Sequence, residues 1–150
     1  MALTDSLVEF TSWVKTHLED PAFLAASGIQ AVTYGDQEKI AVTPTVCVEP
    51  VEKARDYNGA PRRTLVTFEV YVLIYHGALQ SVQDNRKETD DLAEAVETQL
   101  HSDPTCGSLV VSSLVSNLSS GVANKGGTLL RATRLTFTAQ SQIQLPMAGV

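Results

Sequence analysis

Hydrophobic positions in this chain recur at two periods, and the changes between them mark its elements. Leu3, Leu7, Phe10, Val14 and Leu18 fall three and four apart, which predicts an amphipathic helix over Leu3–Leu18 with Thr4 or Asp5 as its cap. Trp13 lies one position off that stripe, at the edge of a core. Asp20-Pro21 closes this N-terminal helical segment, residues 1–20, because proline disfavours helical geometry in the residue before it. Ala22–Gly35 shows no clear period and stays unassigned, with Gly28 and Gly35 as punctuation.

From Lys39 to Glu49 the period drops to two. Ile40, Val42, Pro44, Val46 and Val48 share one face of a predicted strand, and Pro44, which has no N–H to donate, predicts a sheet edge or a bulge there. Pro50 is expected to end it and to open an extended polar arm or loop, residues 50–63, that turns at Asn58-Gly59. A second strand is predicted over Thr64–Tyr75, and its even positions Val66, Phe68, Val70, Val72 and Ile74 are apolar enough to face the core. Leu65, Tyr71, Leu73 and Tyr75 alternate with these beside Thr67 and Glu69, an odd face too apolar for water. Either the N-terminal helix or a neighbouring subunit is expected to cover it.

Ser81 and Asp84 have the spacing of a reciprocal cap, so a long helix is expected from about Val82 to His101. Its buried stripe is Val82, Thr89, Leu92, Ala93, Val96 and Leu100, and Asp103-Pro104 with Gly107 stops it. Ser108–Ser116 and Thr128–Gln140 read as two further strands, joined by a flexible hairpin tip over residues 117–127, with a short tail over 145–150. Arg131 and Arg134 point to opposite faces of the last strand, so at least one needs a partner or an aqueous cavity. The order predicts a single α+β domain spanning residues 1–150: an antiparallel or mixed sheet of two strand pairs, packed by a long central helix, plus an N-terminal helix.

Composition sharpens this only in part. At 150 residues and 43% hydrophobic content the chain suits one core. A net charge of −6 argues against a broad basic surface for gripping nucleic acid and favours protein partners. Cys47 and Cys106 have neither CxxC spacing nor histidines at zinc-finger distance, and read as small apolar fillers. No secretory leader or apolar span appears, so no membrane role is expected.

Catalytic chemistry finds no foothold in local motifs. GVANKGGT has the composition of a phosphate loop, but Lys125 precedes Gly126 instead of following the last glycine. There is no GxSxG, HExxH or GxGxxG. His17, His76 and His101 are separated by whole elements, and the acids Asp84, Glu88, Asp91, Glu94 and Glu97, interleaved with Arg86 and Lys87, read as a solvated helix face. The expectation is a protein that is not an enzyme and uses no cofactor or metal.

The run RRTLVTFEVYVLIYHG, then SVQDNRKETDDLAEAVETQL, then a Gly-bounded strand pair ending in LLRATRLTFTAQSQIQLP resembles the tail terminator, or tail completion, proteins of long-tailed bacteriophages, over roughly Lys39–Pro146. The likeness rests on element order and on the strand–turn–helix texture. It implies a virion protein of the tail and neck, assembled in the host cytoplasm. In that role a homohexameric ring caps the tail tube, ends its polymerisation and meets the head completion (stopper) protein, while DNA passes through the lumen without sequence-specific binding.

The residues expected to touch a neighbouring subunit or partner are Arg55, Tyr57, Arg62 and Arg63 in the arm and Leu65, Glu69, Tyr71, Leu73 and Tyr75 on the strand. A tail tube or head–tail stopper subunit is the alternative reading. A small metal-dependent enzyme built on the helical acids is a minor one.

Overall fold

A computed structural model describes residues 3–56, 63–78 and 86–144, and the fold is α+β: three helices and a five-stranded mixed sheet. In chain order the elements are α1 (Leu7–Leu18), α2 (Pro21–Ser27), β1 (Ala31–Tyr34), β2 (Thr45–Asp56), β3 (Arg63–Ala78), α3 (Arg86–His101), β4 (Ser112–Lys125) and β5 (Thr128–Gln144). The sheet order is β1-β2-β3-β5-β4, with β1 parallel to β2 and every other pairing antiparallel.

Helix α1 starts later than its apolar period suggests, because Ser6 caps it and accepts the Glu9 N–H at 3.1 Å. Thr4 and Asp5, the expected caps, are engaged elsewhere: the Thr4 hydroxyl accepts the Ser6 N–H at 3.1 Å, and the Asp5 carboxylate binds Arg55 at 2.8 Å. Thr4 donates its N–H to the Leu109 carbonyl at 2.7 Å and accepts the Ser141 hydroxyl on its own carbonyl at 2.7 Å. Asp20-Pro21 ends α1 and also starts α2, since the Asp20 carboxylate caps Phe23 N–H at 3.1 Å and Pro21 occupies the first turn, where no N–H is needed.

Strand β2 differs most from its pattern. It begins at Thr45, because Ile40–Thr43 leave the sheet to cross its face, and it does not end at Pro50. A register shift between Pro50 and Glu52 absorbs the proline, and pairing continues to Asp56 opposite Leu65. Residues 50–56 of the expected loop are therefore strand, and the turn at Asn58-Gly59 lies outside the described residues.

Strand β3 has the predicted alternation, with Val66, Phe68, Val70, Val72 and Ile74 fully buried. Against that face lie α1 and α3. Phe10 stacks on Phe68 and Phe137 with ring centroids 5.2 and 5.8 Å apart, and Ala93, Val96 and Leu100 bring α3 into the same cluster. The helix start predicted at Val82, with its Ser81–Asp84 cap, lies outside the described residues. Gly107 packs beneath Trp13 at φ +65°, where a Cβ would come within 2.8 Å of the indole nitrogen.

The segment 117–127, expected as a flexible tip, is strand up to Lys125, and only Gly126-Gly127 turn, both at positive φ. Its Ser, Asn and Gly content suits an edge whose pairing is made by backbone. That composition hides a strand from any reading that looks for buried side chains.

Candidate assembly surface

Alternation along β3 sends its odd residues to the face of the sheet opposite α1 and α3. The N-terminal helix therefore does not cover them. One end of that face is covered instead by a strap, residues 36–43, that leaves β1 and crosses β2 and β3 to reach the β4–β5 turn. Asp36 holds it down: its carboxylate accepts the Tyr75 hydroxyl at 2.6 Å and the Lys125 ammonium at 2.9 Å, and that ammonium sits 5.0 Å from the Tyr75 ring centre. Ile40 packs on the small cluster of Cys47, Tyr75 and Leu130 beneath.

Burial pushes the Asp36 carboxyl up, but the hydrogen bonds from Tyr75 and Lys125, together with the Lys125 charge, outweigh it and hold the carboxyl below its ordinary value. Burial, reinforced by the hydrogen bond to Asp36, raises the Tyr75 hydroxyl, so it stays a donor. Cys47 is fully buried under the strap, and burial raises its thiol.

Beyond the strap the face carries no helix among the described residues. Leu65, Tyr71 and Leu73 stand half-buried along it, and Arg134 on β5 lays its guanidinium 4.7 Å from the Tyr71 ring centre. A shallow depression of about 270 Å³ lies beside them, bounded by Leu73, Tyr75, Gly121, Ala132 and Arg134. Glu52 and Glu69 sit directly opposite each other in the β2–β3 register, and neither forms an ion pair among the described residues. Like charges in facing positions destabilise a bare sheet, so this pair favours a cation brought from outside.

Of the residues singled out from sequence, Leu65, Glu69, Tyr71 and Leu73 share this surface, while Tyr75 lies at its strapped end. Arg55 does not join them. It binds Asp5 at 2.8 Å, next to Lys53, which donates to the Asp5 carbonyl at 3.0 Å, so it ties the N-terminal segment to the helix-bearing face. Tyr57 and Arg62 lie outside the described residues, and of Arg63 only the backbone, opposite Gln144, is described.

Asp36 and Lys125 escaped sequence reading because they are distant in the chain and share no motif. Arg134 was partly visible through its opposition to Arg131. Arg131 lies on the helix side, nine-tenths buried, near His76. Burial, with the charge of Arg131, lowers His76 to about 4, so it is neutral near pH 7 and pairs with the Thr133 hydroxyl at 3.0 Å. The acids of α3 face outward, with Lys87–Asp91 and Arg86–Asp90 pairs at 3.1 and 3.5 Å. Among the described residues no group of three or more His, Cys, Asp or Glu is placed to hold a metal ion. No helix among them is long and apolar enough to cross a membrane.

No protein-family model matches the chain, and comparison with curated proteins finds no sequence match either.

Proposed function

We propose that this chain is a structural ring subunit of the phage tail-terminator kind, which caps the tail tube and joins it to the head side of the neck, with no catalytic role of its own. The observation that carries the reading is the bare sheet face. It presents Tyr71 under Arg134, with Leu65 and Leu73 on the same strand face, a shallow depression, and an acid pair, Glu52 and Glu69, that forms no ion pair among the described residues. Aromatic and arginine side chains beside a shallow depression are what subunit contacts favour.

A ring repeats one heterologous contact, in which two different patches of the same chain meet, and closes when the rotation per subunit permits. The face supplies an acidic patch at its β2–β3 end, and Arg134 supplies a cation elsewhere on it. The net charge of −6 suits a ring whose lumen lets DNA slide, because few phosphates would be neutralised.

Native mass spectrometry tests this reading. The wild-type chain is expected as a single closed species, a hexamer on the family likeness, and Tyr71→Ala and Glu69→Lys are expected to abolish that closed species while the fold persists. A wild-type chain that forms no closed ring, also when mixed with tail tubes, overturns the reading.

A further inference from the structure

Among the described residues the sheet has two open edges, and they are defended differently. β1 stops at Tyr34, opposite Val48, so among the described residues no strand pairs with the outer side of β2 from Pro50 to Asp56. That stretch carries a proline, a bulge, Lys53 and Arg55, the features by which natural sheets refuse an added strand. The outer edge of β4 lacks them through its middle. From Asn117 to Ala123 it has neither charge nor proline, its bulge lies earlier, between Val115 and Asn117, and its one lysine, Lys125, comes later. Leu118 and Val122 are 39% and 54% exposed there, on the face that also carries the helices.

We propose that β4 pairs antiparallel with β4 of a second copy of this chain, about a two-fold axis at Ser120. In that register Leu118 falls opposite Val122 of the second copy, and Val122 opposite its Leu118, giving two apolar cross-strand pairs. Ser119 meets Gly121 and Asn117 meets Ala123, with no like charges facing. Backbone groups on the open edge gain partners at the same time. Pairing with the β2 edge of another copy is less suited, because Pro50 lacks a donor and the charges from Lys53 to Asp56 would lie against an uncharged strand. The contact uses neither the bare face nor the arm, so it does not depend on the ring reading, and it keeps the uncharged middle of β4 from indiscriminate strand addition.

Cysteine cross-linking and sedimentation test the register. Facing residues at a two-fold lie about 4.5–5.5 Å apart at Cβ, so Ser120→Cys is expected to oxidise to a covalent dimer, whereas Leu114→Cys, beyond the bulge, is not. Cys47 and Cys106 are buried and serve as silent background. Leu118→Glu and Val122→Lys, both at exposed positions that leave the core untouched, are each expected to weaken the non-covalent dimer about tenfold. Combined, they are expected to restore it, because the new carboxylate and ammonium face each other across the axis.

Three results overturn the proposal. One is a wild-type chain without dimer that also fails to cross-link through Ser120→Cys. Another is a dimer indifferent to both single changes and to their combination. The third is an edge that accepts only extended peptides of other proteins.

Discussion

Replacing Asp36 by asparagine probes the strap most cleanly, because the change removes a charge and little volume. Two contacts depend on that charge. The Tyr75 hydroxyl donates to it from a buried site at 2.6 Å, and a hydrogen bond to a charged group contributes about 1.5–3 kcal/mol. The Lys125 ammonium adds less, since the Asp36 side chain is 36% exposed and solvent screens the pair towards about 1 kcal/mol or below. Asparagine keeps one acceptor for Tyr75, so the expected loss is about 1–2 kcal/mol, read as a lower urea midpoint at unchanged slope.

If the strap opens locally, labelling of the buried Cys47 thiol should also speed up, by about tenfold for each 1.4 kcal/mol. The pH dependence follows from the lowered carboxyl. Its stabilisation is fully present above the ordinary carboxylate value and is lost as pH falls through the lower folded value, so wild type and Asp36→Asn should converge in acid. Equal urea midpoints at neutral pH, within about 0.3 kcal/mol, together with unchanged Cys47 labelling, would refute the assignment of Asp36 as the strap's anchor.

Phe10→Ala removes the ring that α1 stacks on Phe68 and Phe137 in a fully buried site, and is expected to cost about 3–5 kcal/mol in chemical denaturation. Gly107→Ala puts a Cβ against the Trp13 indole at a backbone angle that only glycine tolerates well, and should cost about 1–3 kcal/mol with a change in tryptophan fluorescence. His76 binds its proton more weakly folded than unfolded, so its contribution to stability rises with pH between about 4 and 6.5 and is flat above, by at most about 3 kcal/mol. A stability profile of His76→Gln should lack that rise, and a parallel profile would refute the assignment.

The core of this fold was legible where one side chain in two is buried. Val66 to Ile74 alternates cleanly because β3 is central and one face is packed by helices, and Phe10, Val14 and Leu18 keep helical spacing for the same reason. Legibility failed where backbone, not side chains, does the pairing. Ser112–Lys125 is an edge strand of exposed Ser, Asn and Gly, and Pro50 sits on an edge where a missing N–H is harmless once a bulge absorbs it.

The cap of α1 falls later than its apolar period suggests because the Thr4 hydroxyl is taken by the Ser6 N–H while its backbone pairs with Leu109 and Ser141, and Asp5 is held by Lys53 and Arg55, tertiary contacts that no local window contains. Half of the candidate surface followed from the apolar odd face of β3. The rest, the strap with Asp36 and the Arg134–Tyr71 contact, needed the fold to bring distant residues together.

Electron microscopy of the purified chain, alone and on purified tails, decides whether it is a ring subunit. Closed rings of uniform subunit number are expected in isolation, and one ring at the head-proximal end of each tail tube. Single unassembled particles in both samples, or subunits repeating along the whole tube, would contradict the ring reading.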